Sequence, residues 1–113
     1  MSRYCFRLRV DPTRIPEYRR RHAAVWPDML RALRDAGWRD YWLFLDEDGL
    51  VIGVFESERS FGEAEEAMAR TEANRAWQDF MAPLFQGAGP DDGLRVLEPV
   101  FHLETQLAAL GET

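Results

Sequence analysis

The stretch Trp38-Arg-Asp-Tyr41-Trp42-Leu43-Phe44-Leu45-Asp46-Glu47-Asp48-Gly49-Leu50-Val-Ile-Gly-Val-Phe-Glu56 decides the fold. Two runs rich in aromatic and β-branched residues flank Glu47-Asp48-Gly49, a hairpin turn of the Asp-Gly kind, so Trp38 to Asp46 and Leu50 to Glu56 are expected as adjacent antiparallel strands. In the first of them Tyr41, Leu43 and Leu45 point to one side and Trp42 and Phe44 to the other, so the strand is apolar on both faces. Helices can cover one face of such a sheet, and two identical sheets packed face to face would cover the other. A homodimer is the expectation from this strand alone, set against a monomer that leaves a few aromatics exposed.

Working outward toward the N-terminus, Tyr4 to Val10 alternates Tyr4, Phe6, Leu8 and Val10 against Cys5, Arg7 and Arg9, a strand with one buried face. Asp11-Pro12-Thr13 makes a turn in which Thr13 is placed to cap a helix, and Pro16 fits that helix's first turn. Tyr18, Val25, Met29, Leu33 and Ala36 fall on one helical stripe, opposite Arg20, Arg31 and Arg34, which predicts an amphipathic helix ending at Gly37, with a kink or break just past His22 imposed by Pro27.

Toward the C-terminus, Ser60-Phe-Gly-Glu63 is a capping box, so a helix starts at Ser60 and runs through Ala64, Ala67 and Met68. A break near Thr71 precedes a second segment with Trp77, Phe80, Met81 and Leu84 at i, i+3, i+4 and i+7, ending at Pro83 or shortly after. Gln86 to Gly93 reads as a flexible loop. Leu94 to Leu103 reads as a fourth strand that Pro99 places at an edge or bulge, and Leu107 and Leu110 fit a terminal helical turn. The order β-α-β-β-α-β describes an α+β, ferredoxin-like subunit: one antiparallel sheet with two helical layers on one face, residues 1–104 as a single domain and 105–113 as a tail.

At 113 residues, 46% apolar and 30% charged, the chain has the composition of one globular domain, and no apolar run approaches the roughly 20 residues of a membrane span. The charged, alternating N-terminus is unlike a signal peptide, and the single Cys5 suits a reducing compartment, so a cytoplasmic protein is expected. A net charge of −6 argues against nucleic acid as a partner. The arginines Arg19 to Arg21 spread around a helix and read as a solvated face with ion-pair partners.

Two histidines, His22 and His102, with no His-x-x-x-His or Cys-x-x-Cys spacing, leave no closed zinc site to expect. Gly87-Ala-Gly89 is followed by Pro90 rather than a helix, so no nucleotide cofactor is expected either. What remains is Tyr18 and His22 one turn apart on the apolar stripe, Tyr41 on the following strand, and Trp77 on the second helical layer. Histidine exchanges protons near neutral pH, tyrosine hydroxyls bond to sugar-like hydroxyls, and an indole stacks on the C–H face of a pyranose, a set suited to a small neutral polyol. The same residues also read as a hydrogen-bonded core histidine among packed aromatics.

The run Tyr18-Arg-Arg-Arg-His22-Ala-Ala-Val-Trp26-Pro27-Asp-Met29, with Gly37-Trp-Arg-Asp-Tyr41 and Trp77-Gln-Asp-Phe-Met81, resembles the L-rhamnose mutarotase family. The likeness extends from the first strand to Val100-Phe101-His102-Leu103. It implies a dimeric α/β-barrel of ferredoxin-like subunits, no metal or other cofactor, and a place in rhamnose metabolism as an isomerase. The reaction implied is interconversion of the α and β anomers of L-rhamnose or a similar 6-deoxy sugar. By match of motif, His22 is the implied proton donor, and Tyr18, Tyr41 and Trp77 are the implied sugar contacts. Members often carry a second Trp directly after the one matched by Trp77, where this chain has Gln78, so the sugar preference is the part that does not carry over directly. Dimeric α/β-barrels also host small cofactor-poor monooxygenases. The alternatives are such an oxygenase, recognised by oxygen uptake, and a non-catalytic sugar-binding dimer, recognised by binding without faster anomer exchange.

Overall fold

Trp42 pairs with Val54, Leu43 with Gly53, Phe44 with Ile52 and Leu45 with Val51, so the hairpin around Gly49 forms in the expected register. Gly49 has a φ of +93°, a conformation open to glycine, and a Cβ there would lie 2.3 Å from the Val10 carbonyl oxygen. The computed structural model describes residues 1–86 and 93–112. The strands are β1 (Ser2–Arg9), β2 (Arg39–Leu45), β3 (Leu50–Ser57) and β4 (Arg95–Leu97). The helices are α1 (Ile15–His22), α2 (Pro27–Asp35), α3 (Phe61–Ala69), α4 (Glu72–Met81) and α5 (Leu103–Ala109), with short 3-10 turns at Pro12–Arg14 and Ala82–Phe85. The strands form an antiparallel sheet in the order β2-β3-β1-β4. That is the α+β arrangement expected for split β-α-β units.

The helices cover the sheet face that carries Phe6, Leu8, Leu43, Val51 and Phe55. Two apolar clusters fill the space between, one joining Val10, Val51, Met29, Met81 and Leu84, the other built around Phe6, Phe55 and Ala64. On the opposite face Trp42 and Phe44 are 57% and 56% exposed, their rings nearly parallel with centroids 6.1 Å apart. No helix among the described residues is long and apolar enough to cross a membrane.

Several expectations are corrected. Of the kink or break expected just past His22 the structure has the break, so the single helix running on to Gly37 is two: α1 ends at His22 with Ala23 as its C-cap, and α2 restarts with Trp26 as N-cap and Pro27 in its first turn. Proline there leaves nothing unsatisfied, because the first amides of a helix have no intrahelical acceptor. Thr13 does not cap; Asp11 accepts from the Thr13 amide and hydroxyl at 3.0 and 2.8 Å, and Arg14 precedes α1 with no side-chain cap. The fourth strand is three residues, not ten, ending two residues short of Pro99, and the terminal turn is the longer α5. Phe80 is 39% exposed while Trp77, Met81 and Leu84 are buried. Residues 87–92 of the expected Gln86–Gly93 loop lie outside the described residues.

The capping box at Ser60 and Glu63 forms with both bonds at 3.1 Å, and Thr71 caps α4 where the break was expected. Gly53 serves a different end: the Phe6 ring lies directly over it, so a Cβ would sit 2.2 Å from the Phe6 ζ carbon. Phe6 has little freedom to yield, being 2% exposed and ringed by Tyr41, Phe55 and Phe61 at 6.2, 6.4 and 6.2 Å. Gly53→Ala is therefore expected to lower unfolding free energy by about 1–3 kcal/mol through overpacking. Gly62→Ala, where nothing lies within 4 Å, should be neutral or stabilising by up to about 1 kcal/mol. Urea denaturation of the two variants checks the contrast.

Candidate functional site

Between the helices and the sheet lies a cavity of about 610 Å³, a volume suited to a small ligand. Tyr18, His22, Tyr41 and Trp77, the four candidates from the sequence, all line it. They are delivered by a helix face, a β-bulge and a second helix.

Tyr18 and His22 are neighbours on α1 because residues four apart share a helix face. Their rings lie 4.3 Å apart at 30°. The helix ends at His22, and the ring turns back so that Nδ1 lies 3.2 Å from the Tyr18 carbonyl oxygen. A carbonyl oxygen only accepts, so Nδ1 carries the proton and the neutral ring keeps its lone pair on Nε2. Burial pushes the His22 pKa below 6.5, the bond to the Tyr18 carbonyl opposing in part.

Tyr41 owes its aim to a β-bulge. Arg39 pairs with Glu56 and Trp42 with Val54, so three steps along β2 match two along β3, with the extra residue accommodated where Asp40 takes a φ of +46°. The Trp42 indole nitrogen donates to Asp40 Oδ1 at 2.8 Å, fastening the bulge from the outer face. Past it, Tyr41 and Leu43 face the cavity while Trp42 and Phe44 face away. Trp77 comes from α4, edge-on to His22 at 5.5 Å and backed by Trp26 at 5.0 Å, both at nearly right angles.

Both phenols are held in the protonated form. Burial pushes the Tyr18 pKa up to about 12. Burial raises that of Tyr41 further, with the nearby Tyr18 oxygen adding to the shift. Neither hydroxyl has a hydrogen-bond partner among the described residues, and neither is sealed from the cavity. Two hydroxyl donors and a free imidazole nitrogen therefore line an otherwise largely apolar space, an arrangement whose bonding capacity only a polar ligand or water fills.

The sequence reading missed part of the wall. Trp38 stacks on Phe55 at 3.9 Å and 18° and donates its indole N–H to the Ala64 carbonyl at 3.1 Å, and Phe6, Leu43 and Asn74 also line the cavity. Arg21 is not part of a solvated face: its side chain is 18% exposed. It pairs with Glu17 at 2.8 Å, donates to the Phe80 carbonyl and lies 3.9 Å over the Phe80 ring, tying α1 to α4 beside His22. The signal for it was Glu17 at i−4, a helix pair visible in the sequence. Glu65 is the one charged residue in the lining among the described residues. No group of three His, Cys, Asp or Glu side chains placed to hold a metal occurs among the described residues.

Residues 3–103 match a family model described as L-rhamnose mutarotase. A protein of that name from Burkholderia ambifaria is 44% identical over 107 residues, covering 92% of this chain and 100% of the relative. One from Acidiphilium cryptum is 38% identical over 106 residues, covering 91% and 99% respectively. The crystal structure of an L-rhamnose mutarotase from Formosa agariphila superposes with a TM-score of 0.72 at 27% identity, covering 90% of this chain and 98% of that one.

The imidazole yields a pH expectation. A folded pKa below the unfolded value means that the unfolded chain binds a proton first, so His22 costs stability as pH falls from about 6.5 through the folded pKa, and costs none above that window. Nitrogen NMR of the ring should show the Nδ1–H tautomer near pH 7 and a midpoint below 6.5; a ring protonated at Nε2 would contradict the geometry.

Proposed function

The chain belongs to the L-rhamnose mutarotase family of anomer-interconverting isomerases, and on that footing we propose that it interconverts the α and β anomers of L-rhamnose or a similar 6-deoxy sugar, with His22 moving the proton. The observation that carries this reading is the convergence of Tyr18, His22, Tyr41 and Trp77 on one cavity. The sugar sits with a face against Trp77 and its anomeric carbon at His22.

Ring opening needs the proton of the anomeric hydroxyl removed and a proton placed on the ring oxygen as the bond from C1 to that oxygen breaks. Neutral His22, with Nδ1–H held by the Tyr18 carbonyl, takes the anomeric proton at Nε2. Briefly an imidazolium, it delivers that proton to the ring oxygen, which lies on the same carbon. The products are the aldehyde at C1 and a free hydroxyl at C5. Rotation about C1–C2 presents the other carbonyl face, and the same steps in reverse close the ring as the opposite anomer. Protons and electrons balance within the sugar and one imidazole, so the chemistry calls for no redox partner. Tyr18 and Tyr41, un-ionised at working pH, orient the two oxygens by donating to them. With Glu65 the one charged residue in the described lining, the cavity suits a neutral sugar rather than a sugar phosphate.

The functional unit we propose is a homodimer, its two sheets packed through the outer faces into an α/β-barrel. Trp42 and Phe44 are exposed there, and Leu97 is 37% exposed on the same face. The protein is proposed to work in the cytoplasm, in keeping with its lone Cys5.

Saturation-transfer NMR on equilibrated L-rhamnose, with L-fucose and D-glucose alongside, tests the reaction. Wild type should accelerate exchange, and His22→Ala should lose about 10²- to 10⁴-fold, the worth of one positioned acid–base group. Absence of acceleration with every sugar would overturn the mutarotase reading, and full activity in the variant would remove His22 from its role. Analytical ultracentrifugation should find wild type as a dimer and Phe44→Asp shifted toward monomer.

A further inference from the structure

The cavity has a second polar patch, which the proton transfer leaves unused. Asn74 and Gln78 stand one turn apart on α4, three residues before and one after Trp77, and both line the cavity. Gln78 Nε2 donates to Asn74 Oδ1 at 3.2 Å. That bond leaves Asn74 Nδ2 and Gln78 Oε1 without partners among the described residues. Turning both amides over, so that Asn74 donates, exchanges the roles and leaves Gln78 Nε2 and Asn74 Oδ1 free instead. Either way one donor and one acceptor stand side by side.

An adjacent donor and acceptor complement two vicinal hydroxyls, one donating and the next accepting, and offer nothing to a methyl group or an apolar ring face. We propose that Asn74 and Gln78 act as a specificity-determining pair that reads two neighbouring hydroxyls of the sugar. The inference rests on the mutarotase reading of this cavity. With C1 and the ring oxygen held at His22, the part of the sugar left for the Asn74 and Gln78 pair is the opposite bond of the pyranose. That bond joins C3 to C4. The ligand class is thus a neutral pyranose with free hydroxyls at C3 and C4, and selectivity here comes from hydrogen bonds.

The experiment measures kcat/KM for anomer exchange on L-rhamnose and its 3-deoxy and 4-deoxy analogues, using wild type, Asn74→Leu and Gln78→Leu. Wild type should lose about 2- to 12-fold for each hydroxyl removed, the range of a single net hydrogen bond. In the leucine variants the difference between L-rhamnose and at least one analogue should shrink below 2-fold, a coupling that a purely structural role would not produce. Wild type treating all three sugars alike overturns the proposal, as does a gap that persists unchanged in both variants. The first comparison needs no variant to fold. Exchange with none of the sugars would instead overturn the mutarotase reading, a distinct result.

Discussion

Pro27 has no amide hydrogen to give, and inside a continuous helix its ring would collide with the carbonyl four residues back. The helix that begins at Ile15 therefore stops with Ala23 as its cap, and a new one starts at Pro27, where the missing donor costs nothing. The placing of His22 and of the α2 wall follows from that interruption. It leaves His22 in the last turn of α1, its Nδ1 directed to a carbonyl of its own helix, and it lets α2 bring Met29 and Leu33 to the cavity as a separate wall. A backbone constraint decides which imidazole nitrogen holds the proton.

The second constraint is desolvation. His22 is pushed toward its uncharged form, and so are Tyr18 and Tyr41, although one is a base and two are acids. Burial always disfavours the charged state, so three titratable groups of two kinds arrive at a common outcome. The inner part of the cavity is rich in donors, keeps a lone pair on Nε2 and carries no formal charge. Both hydroxyls open onto the cavity, where water or a bound polyol completes their bonds.

How much of this the sequence disclosed depends on the range over which each feature is encoded. The pairing of Tyr18 with His22, the Ser60 capping box and the Asp-Gly hairpin are local, set by spacings of four residues or fewer, and all three were legible. Trp38 and Phe6 as cavity walls were not, because a residue on the helix-covered face meets the cavity or the packed core according to which helix side chains sit above it. Thr13 and Asp11 compete for one turn, and the carboxylate wins by bonding both the amide and the hydroxyl of Thr13. Alternation from Leu94 onward suggested a long strand, yet β4 pairs with β1 only through Cys5, Phe6 and Arg7. Periodicity shows that a segment can pair, and a neighbouring strand decides how far it does.

The bulge in β2 joins these threads. Strand side chains alternate, so a register shift of one residue would exchange Tyr41 for Trp42 at the cavity and send a phenol out to the opposite face. Asp40 accepts the extra residue's strain in a left-handed conformation that aspartate tolerates better than most side chains. Its bond to the Trp42 indole then resists slippage from the outside of the sheet. The residue that gives the outer face its largest apolar group thus also helps to hold Tyr41 inward. Cavity and outer face are written on alternate positions of one strand, and the bond that holds Trp42 on the outside keeps the register that the cavity requires.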